Sequence, residues 1–257
     1  MSTTLPPVQQ GTSPTRGDTS PAEFRLWKAF AWAGPFFLVT VLICLAGIAG
    51  FVPPPSENWG AQQVAAFYAD HEVRIRIGME GLLLLACLYF VWSLAIARVM
   101  WRAEGRQRLL STIQLIGGVA TTGVTMACGV LWLTASFRSS IRPATDIQLL
   151  NDLGWMVFDM TVLVTVFQQL AFAFWVLGDD REKPLVPRWV GYATLWLAAT
   201  AFVVFLMPSF QTGPFSWQGL ITLYIGLGAF FVWAFLTSWY VVAAVKRIER
   251  DETVLTR

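Results

Sequence analysis

The chain has 257 residues, 56% apolar and 13% charged, with a net charge of +2 and a mean hydropathy of +0.57. Roughly a quarter of an ordinary globular domain is charged, so water is not this chain's main solvent. A nucleic-acid partner needs a basic, aromatic-interleaved face on a soluble domain; no stretch here is long enough to build one, and nucleic acid is excluded.

Residues 1–22 are rich in Ser, Thr, Pro and Gly without an apolar run, the composition of a disordered tail. The first apolar stretch starts too late and runs too long for a cleaved signal peptide. Runs free of Asp, Glu, Lys and Arg then cover 29–56, 81–97, 109–137, 160–178 and 189–245. About 18 to 25 such residues cross the hydrocarbon core. The last run is too long for one crossing, and Pro208, Gly213 and Pro214 divide it as a hairpin. The expected fold is an all-α polytopic bundle, a transmembrane domain over 23–248. Its six spans fall at about 28–51, 76–101, 109–136, 150–177, 187–207 and 217–246, and 249–257 forms a second tail.

Between spans one and two, Ser56 is placed to cap a helix that brings Trp59, Val64, Phe67 and Tyr68 near one face. This reads as a short amphipathic helix on the outer face. The segment 142–152, with Thr145 or Asp146 at a helix start, can lie beside it.

Orientation follows from Lys and Arg, which are retained on the cytoplasmic side. Fourteen lie in the tails and in the connections after spans two and four, Arg16, Arg106 and Arg257 among them. Arg74, Arg76, Arg138 and Arg142 lie on the other side. The division requires an even number of spans with both termini cytoplasmic. Trp27, Trp101, Trp175, Trp189 and Tyr240 at inner ends, and Trp59, Tyr68, Trp132, Trp155 and Trp217 at outer ends, read as interfacial girdles.

Two acids break the apolar pattern. An acid at the bilayer centre costs about 2.5–3.5 kcal/mol on insertion scales, which makes Glu80 in span two and Asp159 in span four the leading candidates. Both fall in the outer halves of spans running the same way and can meet in one cavity. Asp152 lies one heptad above Asp159 on the same face, Gln168 and Gln169 extend a polar stripe inward, and His71, Arg74 and Arg76 stand at the rim. The plainer alternative pairs Glu80 with Arg76 one turn away and bonds Asp159 to a neighbouring Thr or Gln. Gly117, Gly118 and Gly123 with Thr121, Thr122 and Thr125 read as a close-packing surface in span three. Cys44, Cys87 and Cys128 read as packing residues.

His71 is the single histidine. Bis-histidine haem, zinc hydrolases and di-iron or copper oxygenases need several, so neither a metal nor another cofactor is expected. No P-loop, G-x-S-x-G or H-E-x-x-H is present.

The segment AAFYADHEVRIRIGMEGLLLLACLYFVW resembles uncharacterised bacterial multi-pass families, in which an outer helix ends in a polar turn, a basic residue and a Gly-opened second span. The resemblance implies a bacterial cytoplasmic membrane and brings no activity or site residues.

The leading expectation is a non-enzymatic bundle that binds an amphipathic or lipid-like molecule in the outer membrane half, as a transporter component or accessory subunit. One alternative is an enzyme using Glu80 and Asp159 on a lipid head group. Another is a structural partner of another membrane protein or of further copies of itself. Both pocket readings need the two acids to face one cavity; if they part, the structural partner gains.

Overall fold

In the computed structural model the chain is described over residues 19–105 and 107–255. Most of the expected first tail, together with Arg16, Arg106 and Arg257, lies outside these residues. Every regular element among them is helical. Six helical stretches are long and apolar enough to cross a membrane: Pro21–Ile48, Glu72–Ala103, Leu109–Ser136, Ala144–Leu177, Arg188–Ser209 and Leu220–Val254.

The first helix, α1 (Pro21–Leu42), begins inside the segment expected as tail. Ser20 makes it start there. The Glu23 amide donates to Ser20 Oγ (3.3 Å) and the Ser20 amide to Glu23 Oε2 (2.8 Å), a reciprocal cap, with Pro21 at the first helical position, where no amide donor is missed. The helix runs on as a π-helical segment, Ile43–Ile48. The amphipathic pattern after span one does fold as a helix, α2 (Ala61–Asp70), burying Val64 and Tyr68. Its cap is Gly60 rather than Ser56, with the Gly60 amide bonded to Gln63 Oε1 at 2.9 Å.

Span two consists of α3 (Glu72–Leu85) and α4 (Cys87–Ala103), broken at Ala86. Span three is the unbroken α5 (Leu109–Ser136). Span four is α6 (Ala144–Met160) and α7 (Leu163–Leu177). The segment expected as a second surface helix is instead the first two turns of α6. Span five is α8 (Arg188–Val204), followed by a 3-10 turn at Met207–Ser209. Span six opens with a π-helical segment, Leu220–Gly226, and continues as α9 (Leu227–Leu255), past the residue where a tail was expected.

Cross-links tie the connections into two ends. At one, Gln148 bonds the Trp59 carbonyl (3.1 Å), Trp217 Nε1 the Pro55 carbonyl (2.8 Å) and Gln218 the Ser56 hydroxyl (2.5 Å). At the other, Lys28 pairs with Glu249 (2.9 Å), Arg102 with Glu252 (2.5 Å), and Arg247 donates to the Pro184 carbonyl (2.9 Å). These are called below the α2 end and the tail end.

Helix α5 sits against α3, α4, α6 and α7, while α1 packs on α4 and α9. Small residues permit the approach: a Cβ on Gly118 would fall 1.9 Å from Ser93 Oγ, and one on Gly154 2.3 Å from Trp132 Nε1. The girdle expectation fails for most of the tryptophans. Trp27, Trp132, Trp155, Trp175 and Trp217 are buried between helices and Trp189 is exposed. Their indole N–H groups often serve as internal ties, such as Trp27 to the Ala95 carbonyl (2.9 Å).

Candidate functional site

Within the bundle lies a cavity of about 130 Å³, to which all six spans contribute. Its lining is mostly apolar. The polar exceptions are Asp159, Gln169, Cys128 and a set of threonines, Thr121, Thr125, Thr161, Thr165, Thr200 and Thr222.

Three irregular stretches converge on it. Leu45 comes from the π-helical end of span one, and Thr222, Leu223 and Gly226 from the π-helical start of span six. Thr161 and Val162 come from the break between α6 and α7. Asp159 stands beside that break, its carbonyl taken by the Val162 amide at 3.3 Å. Interrupted helices within a membrane are tolerated where protein buries them or where they line a cavity, and π-segments recur at functional sites.

Asp159 is 8% exposed and Gln169 4% exposed. Asp159 Oδ2 and Gln169 Oε1 are both buried without a hydrogen-bond partner. Leaving a buried acceptor unpaired costs roughly 1–3 kcal/mol, so these two oxygens are the unsatisfied groups that a ligand would complete. Thr121 and Thr165 bond each other at 2.9 Å. Thr125, Thr161, Thr200 and Thr222 donate to the carbonyls of Thr121, Val157, Leu197 and Phe215. Their protons are spent, and the lone pairs remaining to them are acceptors.

Towards the α2 end the cavity is roofed by aromatics. Trp132 lies against Trp155 (ring centroids 4.8 Å apart) and Phe51 (5.4 Å), and Trp155 stacks on Trp217 at 6.3 Å. Glu57 holds this roof by accepting the Trp217 amide. Burial pushes the Glu57 carboxyl above its ordinary value, against the pull of the amides that bond it, and the charge of Asp152 adds to the rise. Sequence reasoning missed Glu57, because its partner lies in a loop 160 positions away.

The expected site residues divide. Asp159 and Gln169 line the cavity. Gln168 is buried beside it with its amide committed, accepting from Tyr89 (2.8 Å) and donating to Ser93 (3.0 Å). Asp152 is half-buried and accepts from the Asn151 side chain at 3.0 Å. His71 stacks on Phe67 at 4.6 Å, its Nδ1 2.9 Å from the Phe67 carbonyl oxygen. Arg74 donates to the carbonyls of Ile48 (2.9 Å) and Gly47 (3.3 Å), closing the end of the π-segment. Arg76 pairs with Glu72, not with Glu80.

Glu80 is exposed on the outside of α3 and does not line the cavity. The two acids therefore part: helix packing turns α3 so that Met79 and Leu82 point inward. The two-acid pocket expected from the sequence therefore fails, for ligand binding as for acid–base work, and the structural-partner reading gains; what the cavity keeps is one acid, Asp159.

Among the described residues no group of three or more His, Cys, Asp or Glu side chains is placed to hold a metal ion. No family model matches the chain, and neither a curated protein nor a solved structure is similar to it.

Proposed function

We propose that the protein is a non-enzymatic, multi-pass bundle of the bacterial cytoplasmic membrane that takes the polar head of an amphipathic, lipid-like molecule into this cavity, as a transporter component or accessory subunit. In this reading both termini are cytoplasmic and the α2 end faces out, so the cavity opens to the outer half of the membrane.

The observation that carries the proposal is the pair of unpartnered buried oxygens, Asp159 Oδ2 and Gln169 Oε1, on the lining of a mostly apolar cavity. Size narrows the ligand. An apolar cavity of about 150 Å³ holds one benzene, so about 130 Å³ takes a head group or ring and leaves the tail in the bilayer. The half-buried wall of Thr200, Ala201, Gly226, Leu227, Phe230 and Phe231, from span five and the start of span six, is the side on which a tail would leave.

The test is mass spectrometry of molecules that copurify with the wild type and with Asp159→Asn. A species present with the wild type and depleted in the variant is expected. An unchanged profile overturns the proposal.

A second reading, a structural partner subunit, is favoured by one observation. Glu80 is exposed with no ion-pair or hydrogen-bond partner among the described residues, on a helix face shared with Val73, Ile77 and Leu84, the last 79% exposed. The occupant it calls for is a membrane-spanning helix that brings a basic side chain to Glu80.

A further inference from the structure

The cavity has a sign as well as a size. Its lining contains one ionisable carboxylate, Asp159, and no Lys, Arg or His. Two side-chain acceptors on its lining residues are buried without a partner, Asp159 Oδ2 (residue 8% exposed) and Gln169 Oε1 (4%). Of the lining threonines, Thr121, Thr125, Thr161, Thr200 and Thr222 give their protons to backbone carbonyls, and Thr165 bonds the Thr121 hydroxyl. Among the donors in the lining, Trp132 Nε1 is packed onto Gly154, which leaves the Gln169 amide N–H groups and the weak Cys128 thiol. Towards the α2 end the charges continue negative, through Glu57 and Asp152. Of the four arginines at that end, Arg76 is spent on Glu72 and the Ser136 carbonyl and Arg74 on the Ile48 and Gly47 carbonyls, Arg138 lies over the Phe137 ring, and neither Arg138 nor Arg142 lines the cavity.

An anionic head group would enter a site without a cation. An alcohol has one proton for several acceptors. A primary ammonium has three N–H donors and the opposite charge, and removing it from water is compensated only where a carboxylate and further acceptors surround it. Resting on the reading that the cavity takes an amphipathic head group, we infer that this head is a protonated primary amine, held by Asp159 with Gln169 and the threonine oxygens as further acceptors. Glu57 and Asp152 add negative charge on the α2 side of the site, behind the aromatic roof.

The experiment uses the full chain in phosphatidylcholine nanodiscs, with dodecylamine, dodecanol and dodecanoate as probes and tryptophan fluorescence as the readout, since Trp132 lines the cavity. Dodecylamine is expected to bind at least about tenfold more tightly than dodecanol, the weight of a hydrogen bond to a charged group. Asp159→Asn, which keeps the side chain's shape, removes that preference. Glu57→Gln, away from the cavity, weakens the amine several-fold and leaves the alcohol unchanged. Equal binding of amine and alcohol by the wild type, or a preference that survives Asp159→Asn, overturns the amine inference while the amphiphile reading stands. Binding of none of the three probes overturns both. Phosphatidylethanolamine added to the discs separates the sources of the amine: it competes with dodecylamine if the head belongs to a lipid, and leaves the signal unchanged if the ligand is a free amine.

Discussion

Glu80 and Asp159 are the same kind of residue in the same kind of helix, and their surroundings give them opposite roles. Asp159 is enclosed at a helix break beside a cavity. Glu80 is exposed on an apolar stripe near the start of span two, where a carboxylate facing lipid is unfavourable unless a partner neutralises it. The partner-subunit reading therefore makes a prediction at this residue. A photo-crosslinking residue at position 84, one turn along the stripe, captures a membrane protein in native membranes, and Glu80→Leu abolishes that capture. Capture that persists in the variant counts against the reading, as does its absence in the wild type.

Among the elements, the loop between spans four and five is organised from within by the buried carboxylate of Asp179, beside the outer ties of Arg188 to Asp180 and Arg247 to the Pro184 carbonyl. Asp179 accepts from the Arg181 guanidinium at 2.7 and 2.6 Å and from the Leu185 amide at 3.0 Å. Burial by itself would raise its pKa, but these donors and the arginine charge together hold it below the ordinary 3.8. The sign follows from linkage. The stabilisation is fully present above the unfolded value, about 3.8, and is lost as pH falls through the lower folded value. Hydrogen-exchange protection over residues 178–187, referred to the intrinsic amide rates at each pH, is expected to be high at neutral pH and to fall in acid below that window. In Asp179→Asn it is low at neutral pH and no longer shows that step. An acid-independent wild-type loop would show that Asp179 does not hold it.

Two spans contain π-segments and two are broken, yet α5 runs straight through the centre of the bundle. The close contact of α5 with α4 and α7 explains the contrast. Gly117 and Gly118 bring the neighbours close, since a Cβ on Gly117 would meet Gln168 Cβ at 2.9 Å and one on Gly118 would meet Ser93, whereas Gly123, expected in the same surface, is exposed with nothing against it. The irregular turns collect where that tight packing stops, at the cavity wall.

For the whole molecule, the positive-residue division and the shared tail end make one prediction. A reporter that matures only in the cytoplasm is expected to be active when fused after residue 257. A reporter that matures only outside is expected to be active when inserted in the 211–214 turn. The reverse pattern would invert the bundle and place the cavity in the inner half of the membrane.

The number of spans was legible because apolar run length is a local property, satisfied residue by residue wherever the backbone must bond within its own helix. Helix α2 was legible from the spacing of Val64 and Tyr68, and Asp159 from the rarity of an acid in such a run. Which way Glu80 points was not, because each residue turns a helix face by about 100° and only the neighbours settle which face is buried. Nor was Glu57, whose tie to Trp217 crosses most of the chain. The burial of Trp132 and Trp155, read from position as membrane anchors, belongs to the same class. Sequence by itself determined that these helices are long and apolar enough to cross a membrane. Tertiary packing alone decided which carboxylate is enclosed and where a cavity remains, because both depend on contacts between residues that no local pattern connects.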